Sequence, residues 1–392
     1  MDSSKIAPEN FQQPDEFYKG LGFKPGRGRQ SKELMDRRCH LDKMGQDFQH
    51  HELCWSCGWS TNDQLGSTYG SRVRILMSRH NRGLWALGSQ LLLKDIPNDG
   101  HGPGNDYITY RWLRSQSGLD IPLLDRMEVL SKPTDKTYLL LMSRAEGEPL
   151  TNLWHKLLPE QKESLRGQLF LILKQLRIFT ALGAQDVEGG KLDDLLIGDC
   201  PVPRPRYKKI GFTADKWFES LKSELQVGLA KKHKTKDMTI IEAEYQKLKG
   251  RFPNPEPYVL THGDLDFSNI IVKDNQITAI IDWEHAGYYP WWAEHYLCGD
   301  VAFGQSSSLL FPVLYRLDPG MEARIKDVYN KVLEVRGLWE SCKREHPHYH
   351  DRWYRPPFSA CEPYAGHFLR GVAGGIQERE HTIQDLNLLN FE

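Results

Sequence analysis

Two hydrophobic rhythms divide this chain. Between residues 66 and 142 the apolar positions come in short runs with strand-like character: RVRIL (72–76), LWAL (84–87), QLLLKD (90–95) and KTYLLLM (136–142). Gly88-Ser89 separates the second and third runs, so these predict a β-hairpin. Between them and the last run, DYITYRWLRSQSGL (106–119) spaces Ile108, Trp112 and Leu113 as one face of a helix ending near Gly118. From residue 150 onward the helical period dominates. Pro159 to Leu182 puts Leu165, Leu169, Ile172, Leu173, Leu176 and Phe179 on one stripe, with Gly183 as the stop. Thr213 to Leu229 carries Trp217, Leu221, Leu225 and Leu229 at steps of four, and residues 235–250 predict another amphipathic helix. Within this helical part, Ile270 to Val272 and Ile277 to Ile281 flank the turn pair Asp274-Asn275. The pattern therefore predicts an α+β protein: a small strand-rich part, then a larger helical part holding one hairpin.

Composition narrows the class. A chain of 392 residues is long enough for two or more domains or lobes. The boundaries read as an extension over 1–65, a strand-rich part over 66–142, a helical part over 143–340 and a tail over 341–392. With 51 basic and 52 acidic residues the net charge is −1, which gives no general attraction to nucleic acid or an anionic membrane. No apolar run approaches bilayer length, and the N-terminus has no signal pattern. Seven cysteines without framework spacing fit a reducing, cytoplasmic setting. Cys54 and Cys57 form a Cys-x-x-Cys that Cys39 and His50 or His51 can extend to four zinc ligands. No second pair follows at zinc-finger spacing, so ordinary reduced thiols are expected there. The alternating histidines of HPHYH (346–350) read as a surface loop.

The chemistry concentrates in THGDLDFSNIIVKDNQITAIIDWEH, residues 261–285. Folding the two strands across Asp274-Asn275 brings Asn269, before the first, close to Asp282, after the second. Asp264 lies on the loop leading in. Such oxygen groups repel one another unless a cation neutralises them. Hard carboxylate and amide oxygens suit Mg²⁺, which is commonly bound by one or two carboxylates, water and substrate phosphates. A base, an asparagine shortly after it and an aspartate past the next strand is the layout of phosphoryl transfer in kinases.

HGDLDFSN followed by IIDWE resembles the aminoglycoside phosphotransferase family, in its enlarged fungal branch. LGSQLLLKD, SGLDIP, YLLLMSRAEGEPL and DWEHAGYYPWW resemble further family segments in the same order, over roughly residues 70–300. The resemblance implies a bilobal protein-kinase-like fold and ATP- and Mg²⁺-dependent transfer of the γ-phosphate to a hydroxyl of a small molecule. It implies Asp264 as the catalytic base, or at least as the group that orients the acceptor hydroxyl, Asn269 and Asp282 as metal ligands, and His262 as a buttress of the loop. Lys94 would contact the α- and β-phosphates. Met142, Ser143, Arg144 and Ala145 would hold adenine through backbone groups. Asp106 takes the place of the usual glutamate partner of the lysine, one methylene shorter. Glu284 either supports the site from behind or contacts a substrate amine, or else makes a structural hydrogen bond. No GxGxxG covers the phosphates; Gly66 to Gly70 is a phosphate loop or a plain turn. The aromatic run Tyr288 to Trp292 can stack on an acceptor or wedge helices together. The other function expected of such a chain is a catalytically weak kinase-like module that binds nucleotide or a partner. The absence of an Ala-Pro-Glu segment after Asp282 argues against a protein kinase.

Overall fold

The computed structural model describes residues 73–79, 82–98, 102–135, 137–198, 208–298 and 306–343. The 1–65 extension with Cys54 and Cys57, the Gly66–Gly70 segment, HPHYH and the tail from 344 lie outside the described residues. The described residues divide into two compact units. One holds residues up to Pro103 together with Asp125–Arg144; the other holds Gly104–Leu124 and the chain from Ala145.

The first unit is one antiparallel sheet. Its strands are β1 (Val73–Arg79), β2 (Arg82–Leu87), β3 (Leu91–Pro97), β4 (Met127–Val129) and β5 (Thr137–Ser143), in the order β1-β2-β3-β5-β4. The expected hairpin is β2–β3, and Gly88 in its turn has φ +70°. The register places Lys94 between Leu84 and Leu140. Leu140, Leu141 and Met142 of β5 are buried, in keeping with their continuous apolar run.

The second unit is mainly helical. It contains α1 (Asn105–Ser115), a two-residue strand β6 (Glu148–Pro149), α2 (Leu150–Leu153), α3 (Pro159–Leu176), β7 (Thr180–Ala181), α4 (Ala214–His233) and α5 (Met238–Arg251). Then come β8 (Tyr258–Thr261), β9 (Ile270–Lys273), β10 (Gln276–Ile280), β11 (Gly287–Pro290), α6 (Ala293–Cys298), α7 (Ser307–Leu317) and α8 (Glu322–Lys343). Two small antiparallel sheets, β10-β9-β6 and β11-β8-β7, carry the segments of interest.

The helical stripes behave as their spacing requires. Leu165, Leu169, Ile172, Leu173 and Leu176 are buried along α3, and Trp217, Leu221, Leu225 and Leu229 along α4. Each such side chain contributes about 1.5–3 kcal/mol through burial. Thr213 caps α4 by accepting the Lys216 N–H at 3.3 Å. Gly228 lets α4 approach α8, since a Cβ there would meet the Leu338 carbonyl oxygen at 2.3 Å.

The α3 boundary differs from the expected one. The helix ends at Leu176 rather than Leu182, and Thr180–Ala181 pair with Val259 and Tyr258 of β8. A strand edge competes successfully with the helix for these backbone groups, and the Phe179 carbonyl accepts the Leu260 N–H at 3.1 Å. Gly183 is therefore not a helix stop. It clears the Phe212 carbonyl, 2.2 Å from where a Cβ would stand. Among the described residues no helix is long and apolar enough to cross a membrane.

Candidate active site

β8 delivers the chain into His262-Gly263-Asp264. Gly263 has φ +82°, and a Cβ there would lie 2.4 Å from the His285 carbonyl oxygen. Only glycine suits both the left-handed turn and the close approach. His262 is fully buried. Its Nδ1 accepts the Asp264 N–H at 3.3 Å, so Nε2 carries the proton and donates to the Ile281 carbonyl at 3.0 Å. Burial lowers its pKa to about 4, which keeps the ring neutral. His262 thus ties the loop before β9 to the end of β10.

The loop then folds on its own polar groups. Asp266 Oδ1 accepts the Ser268 N–H at 2.6 Å, and the Phe267 N–H donates to Ser306 Oγ at 3.0 Å. Asn269 is buried, and its Nδ2 donates to the Asp264 carbonyl at 2.7 Å and to Asp264 Oδ2 at 3.2 Å. This leaves Asn269 Oδ1 as the amide's acceptor end.

The hairpin forms about the expected turn. Asp274 and Asn275 both have positive φ, 50° and 61°, as a two-residue turn matched to strand twist requires. Ile270 pairs with Ile280, and the Ile281 N–H donates to the Asn269 carbonyl at 3.0 Å. That bond brings the segment ending in Asp282 alongside Asn269. Asp282 itself sits at φ 62°, ψ 60°, a left-handed conformation uncommon for a residue with a side chain.

Helix α1 holds this turn in place. Asp106 Oδ1 accepts the Trp283 N–H at 3.0 Å, while Asn105 Nδ2 donates to the Glu284 and Ala286 carbonyls at 3.1 and 2.7 Å. Trp283 Nε1 donates to the Ile280 carbonyl at 3.0 Å, and its ring lies against that of His262 at 4.6 Å. Glu284 lies 3.5 Å from His285 Nε2. Asp264, Asn269, Asp282, His262, Glu284 and Asp106 therefore all belong to one compact piece of the second unit.

The electrostatics are those of clustered carboxylates. Burial, then the charges of Asp282 and Asp266, push the Asp264 carboxyl up to about 7, against the pull of the Asn269 amide. A cation at Asn269 and Asp282 would relieve this repulsion. Among the described residues no three His, Cys, Asp or Glu side chains group into a cage for an ion. One carboxylate plus one amide fits Mg²⁺, whose other ligands are commonly water and phosphate oxygens.

Four of the expected residues belong to the first unit. Lys94 is partly buried on β3. Met142 is buried on β5; the Ser143 N–H donates to the Arg126 carbonyl at 2.9 Å and the Arg144 N–H to the Gln90 carbonyl at 2.8 Å. Those two donors are taken up by main-chain bonds. Ala145 begins the next stretch of the second unit. Of the two roles open to the aromatic run, the structure gives packing. Tyr288, Tyr289, Trp291 and Trp292 are all buried, with Tyr289 Oη on the Asp193 carbonyl at 3.0 Å and Trp292 Nε1 on the Asn254 carbonyl at 3.3 Å. A cavity of about 430 Å³ lined by Phe218, Gln246, Lys249, Phe252 and Asn254 includes none of the loop residues.

Three positions are absent from the motif yet hold it: Asn105, Ser306 and Glu294. Asn105 adjoins Asp106, a weak signal. Glu294 lies just past the aromatic run and Ser306 is distant in sequence, so neither has a local signature.

No protein of curated function matches the chain. Among solved structures, the streptomycin–ATP–APH(2")-IIa ternary complex aligns at 16% identity, over 79% of this chain and 90% of that one, with a TM-score of 0.45. An apo thermostable mutant of aminoglycoside phosphotransferase APH(4)-Ia aligns at 13% identity, over 71% of this chain and 96% of that one, with a TM-score of 0.42. Overlaps of this size leave the fold to be read from the chain's own elements. A family model, the phosphotransferase enzyme family APH, matches residues 109–314. That span runs from α1 through the loop, the hairpin and α6, covers more than half of the sequence, and shows that the chain belongs to this phosphotransferase family.

Proposed function

We propose that the protein transfers the γ-phosphate of ATP to a hydroxyl of a small molecule, in a Mg²⁺-dependent reaction. The observation that carries this reading is geometric: Asn269 Nδ2 holds the Asp264 carboxylate at 3.2 Å, and the Ile281 N–H on the Asn269 carbonyl brings the segment ending in Asp282 alongside. A carboxylate fixed at this point of the loop is placed to accept a proton from an alcohol while a cation beside it neutralises the neighbouring acid. Asp264 would orient the acceptor hydroxyl and take its proton as the oxygen attacks phosphorus. Asn269 and Asp282 would hold Mg²⁺, which when bound supplies neutralising charge to the β- and γ-phosphates. His262, neutral and buried, keeps the loop aimed without itself exchanging a proton.

Family membership supports extending the reading to a protein-kinase-like fold with a strand-rich and a helical lobe. On that reading Lys94 contacts the α- and β-phosphates as a point charge. Asp106 anchors the Asp282 turn in addition to its place opposite the lysine in the family pattern. The acceptor's class is left to screening, because the buried aromatic run offers it no exposed ring.

The test is thermal stability with ATP and Mg²⁺, together and separately. Ligand at ~100 times its dissociation constant, bound only to the folded state, adds about 2.7 kcal/mol. A shift that needs both is the expected result. No shift at saturating concentrations would reject nucleotide use and favour a partner-binding module.

A further inference from the structure

The hairpin that brings Asn269 to the Asp282 segment carries one residue too many. Ile277 pairs with Val272 and Ala279 with Ile271, so Thr278 is left between them as a bulge in β10. A bulge re-aims its side chain out of the regular ladder. Here the Thr278 hydroxyl donates to the Glu146 carbonyl at 2.6 Å, with the Ile271 carbonyl 3.3 Å away.

Glu146 stands where the chain has just left the first unit. Ser143 ends β5, Arg144 still belongs to that unit, and Ala145 belongs to the second. Other contacts hold this entry against the hairpin. The Glu146 carboxylate pairs with Lys273 at the end of β9. Gly147 has φ +114°, and a Cβ there would lie 2.3 Å from the Val272 carbonyl oxygen. Glu148 and Pro149 then pair with Val272 and Ile271. The hairpin is itself held from α3. Gln168 donates through Nε2 to the Asn275 carbonyl at 2.9 Å and accepts the Ile277 N–H at 2.8 Å. The bulged Thr278 therefore projects from a supported strand.

We propose that Thr278 is a positioning residue for nucleotide binding: its hydroxyl fixes Glu146 on the hairpin and so pre-orders Ala145, the end of the segment expected to hold adenine. The nucleotide role rests on the phosphotransfer reading, whereas the fixing of Glu146 does not. A segment already held loses less freedom when its ligand arrives, so the anchor acts on affinity and not on the transfer step. Of the two side-chain links to Glu146, the hydroxyl is the one that matters. Lys273 and Glu146 are both exposed, and such a pair contributes little in water and salt. The Thr278 bond instead holds a main-chain carbonyl, and with it the course of the backbone.

The experiment compares the full chain as wild type, Thr278→Val, Thr278→Ser and Lys273→Met. It measures amide hydrogen exchange in the peptide covering 144–151, with α4 as reference. It also measures the dissociation constant for ATP with Mg²⁺ by calorimetry, and ATP consumption at saturating nucleotide. Thr278→Val keeps the shape of the side chain and removes the donor. It should speed exchange in 144–151 relative to α4 and raise the dissociation constant, each by roughly two- to tenfold, as loss of one neutral hydrogen bond implies. Consumption at saturation should stay the same. Thr278→Ser, which keeps the hydroxyl, should restore both, and Lys273→Met should change neither by more than about twofold. Unchanged ATP affinity in Thr278→Val, Thr278→Ser behaving as Thr278→Val does, or an equal effect of Lys273→Met would overturn the proposal. So would exchange rising equally in α4, which marks general loosening. A wild type that does not bind ATP would refute the phosphotransfer reading and the nucleotide role with it, and the exchange comparison would still judge the anchor.

Discussion

Replacing Gly263 by alanine perturbs the site through a single methyl group. Two costs follow from the geometry. The first is conformational: an alanine at φ +82° pays about 1–2 kcal/mol for the left-handed region. The second is steric. The new Cβ would lie 2.4 Å from the His285 carbonyl oxygen, where ordinary contact begins at 3.4 Å, so 3.4 − 2.4 = 1.0 Å must be found. Overpacking of this kind costs typically a further 1–3 kcal/mol. Gly118 is the internal control. It has φ +80°, lies in the same unit, and has open space where a Cβ would stand. Gly118→Ala should therefore cost about 1–2 kcal/mol and Gly263→Ala about 2–5 kcal/mol. The displaced atoms separate the segment carrying Asp264 from the turn carrying Asp282, so phosphate transfer should fall by about 10²-fold. Urea unfolding gives the stabilities and a coupled ADP assay gives turnover. Equal stability losses and unchanged turnover in Gly263→Ala would refute the close-approach reasoning.

Three other outcomes are expected. Asp264→Ala should leave ATP binding intact by calorimetry and reduce transfer by about 10²–10⁴-fold, the usual contribution of a general base; retained turnover would remove Asp264 from that role. The same carboxyl also makes stability depend on pH. Its folded pKa of about 7 lies above the ordinary 3.8, so the unfolded state ionises first and folding loses stability as pH rises from 3.8 to about 7, with no further loss above. In Mg²⁺-free buffer the stability of Asp264→Asn relative to wild type should grow across that window and then level off; a difference constant in pH would contradict the raised pKa. Asp282→Ala should weaken Mg²⁺-dependent ATP binding by at least about tenfold, read by titration with and without Mg²⁺, and unchanged binding would contradict its place as a ligand.

Much of the second unit was legible in the chain. The steps of four through Trp217, Leu221, Leu225 and Leu229 specify a buried helical face, because only a 3.6-residue period aligns them. Asp274-Asn275 between two β-branched runs specifies the hairpin, because few residue pairs accept positive φ twice. From that hairpin alone Asn269 and the segment ending in Asp282 must come together. Where local preference had a competitor, the sequence misled. Residues 177–182 continue a helical stripe, yet β8 offers hydrogen-bond partners that only the folded unit supplies.

The sequence by itself thus determined the composition of the site: two carboxylates and an amide at fixed separations along a loop and hairpin. Tertiary structure decided what holds them and what state they are in. Asp264 titrates near neutrality because burial and Asp282 act on it through space. The left-handed Asp282 persists because Asn105 and Asp106, some 177 residues earlier, bond the turn that follows it. Glu294 reaches the His262 N–H across 32 residues of chain. The aromatic run could equally have lined a pocket or filled a core, and packing placed it in the core. The physical reason is common to all four. Desolvation, long-range hydrogen bonds and burial depend on distances in space, and a linear pattern records only distances along the chain.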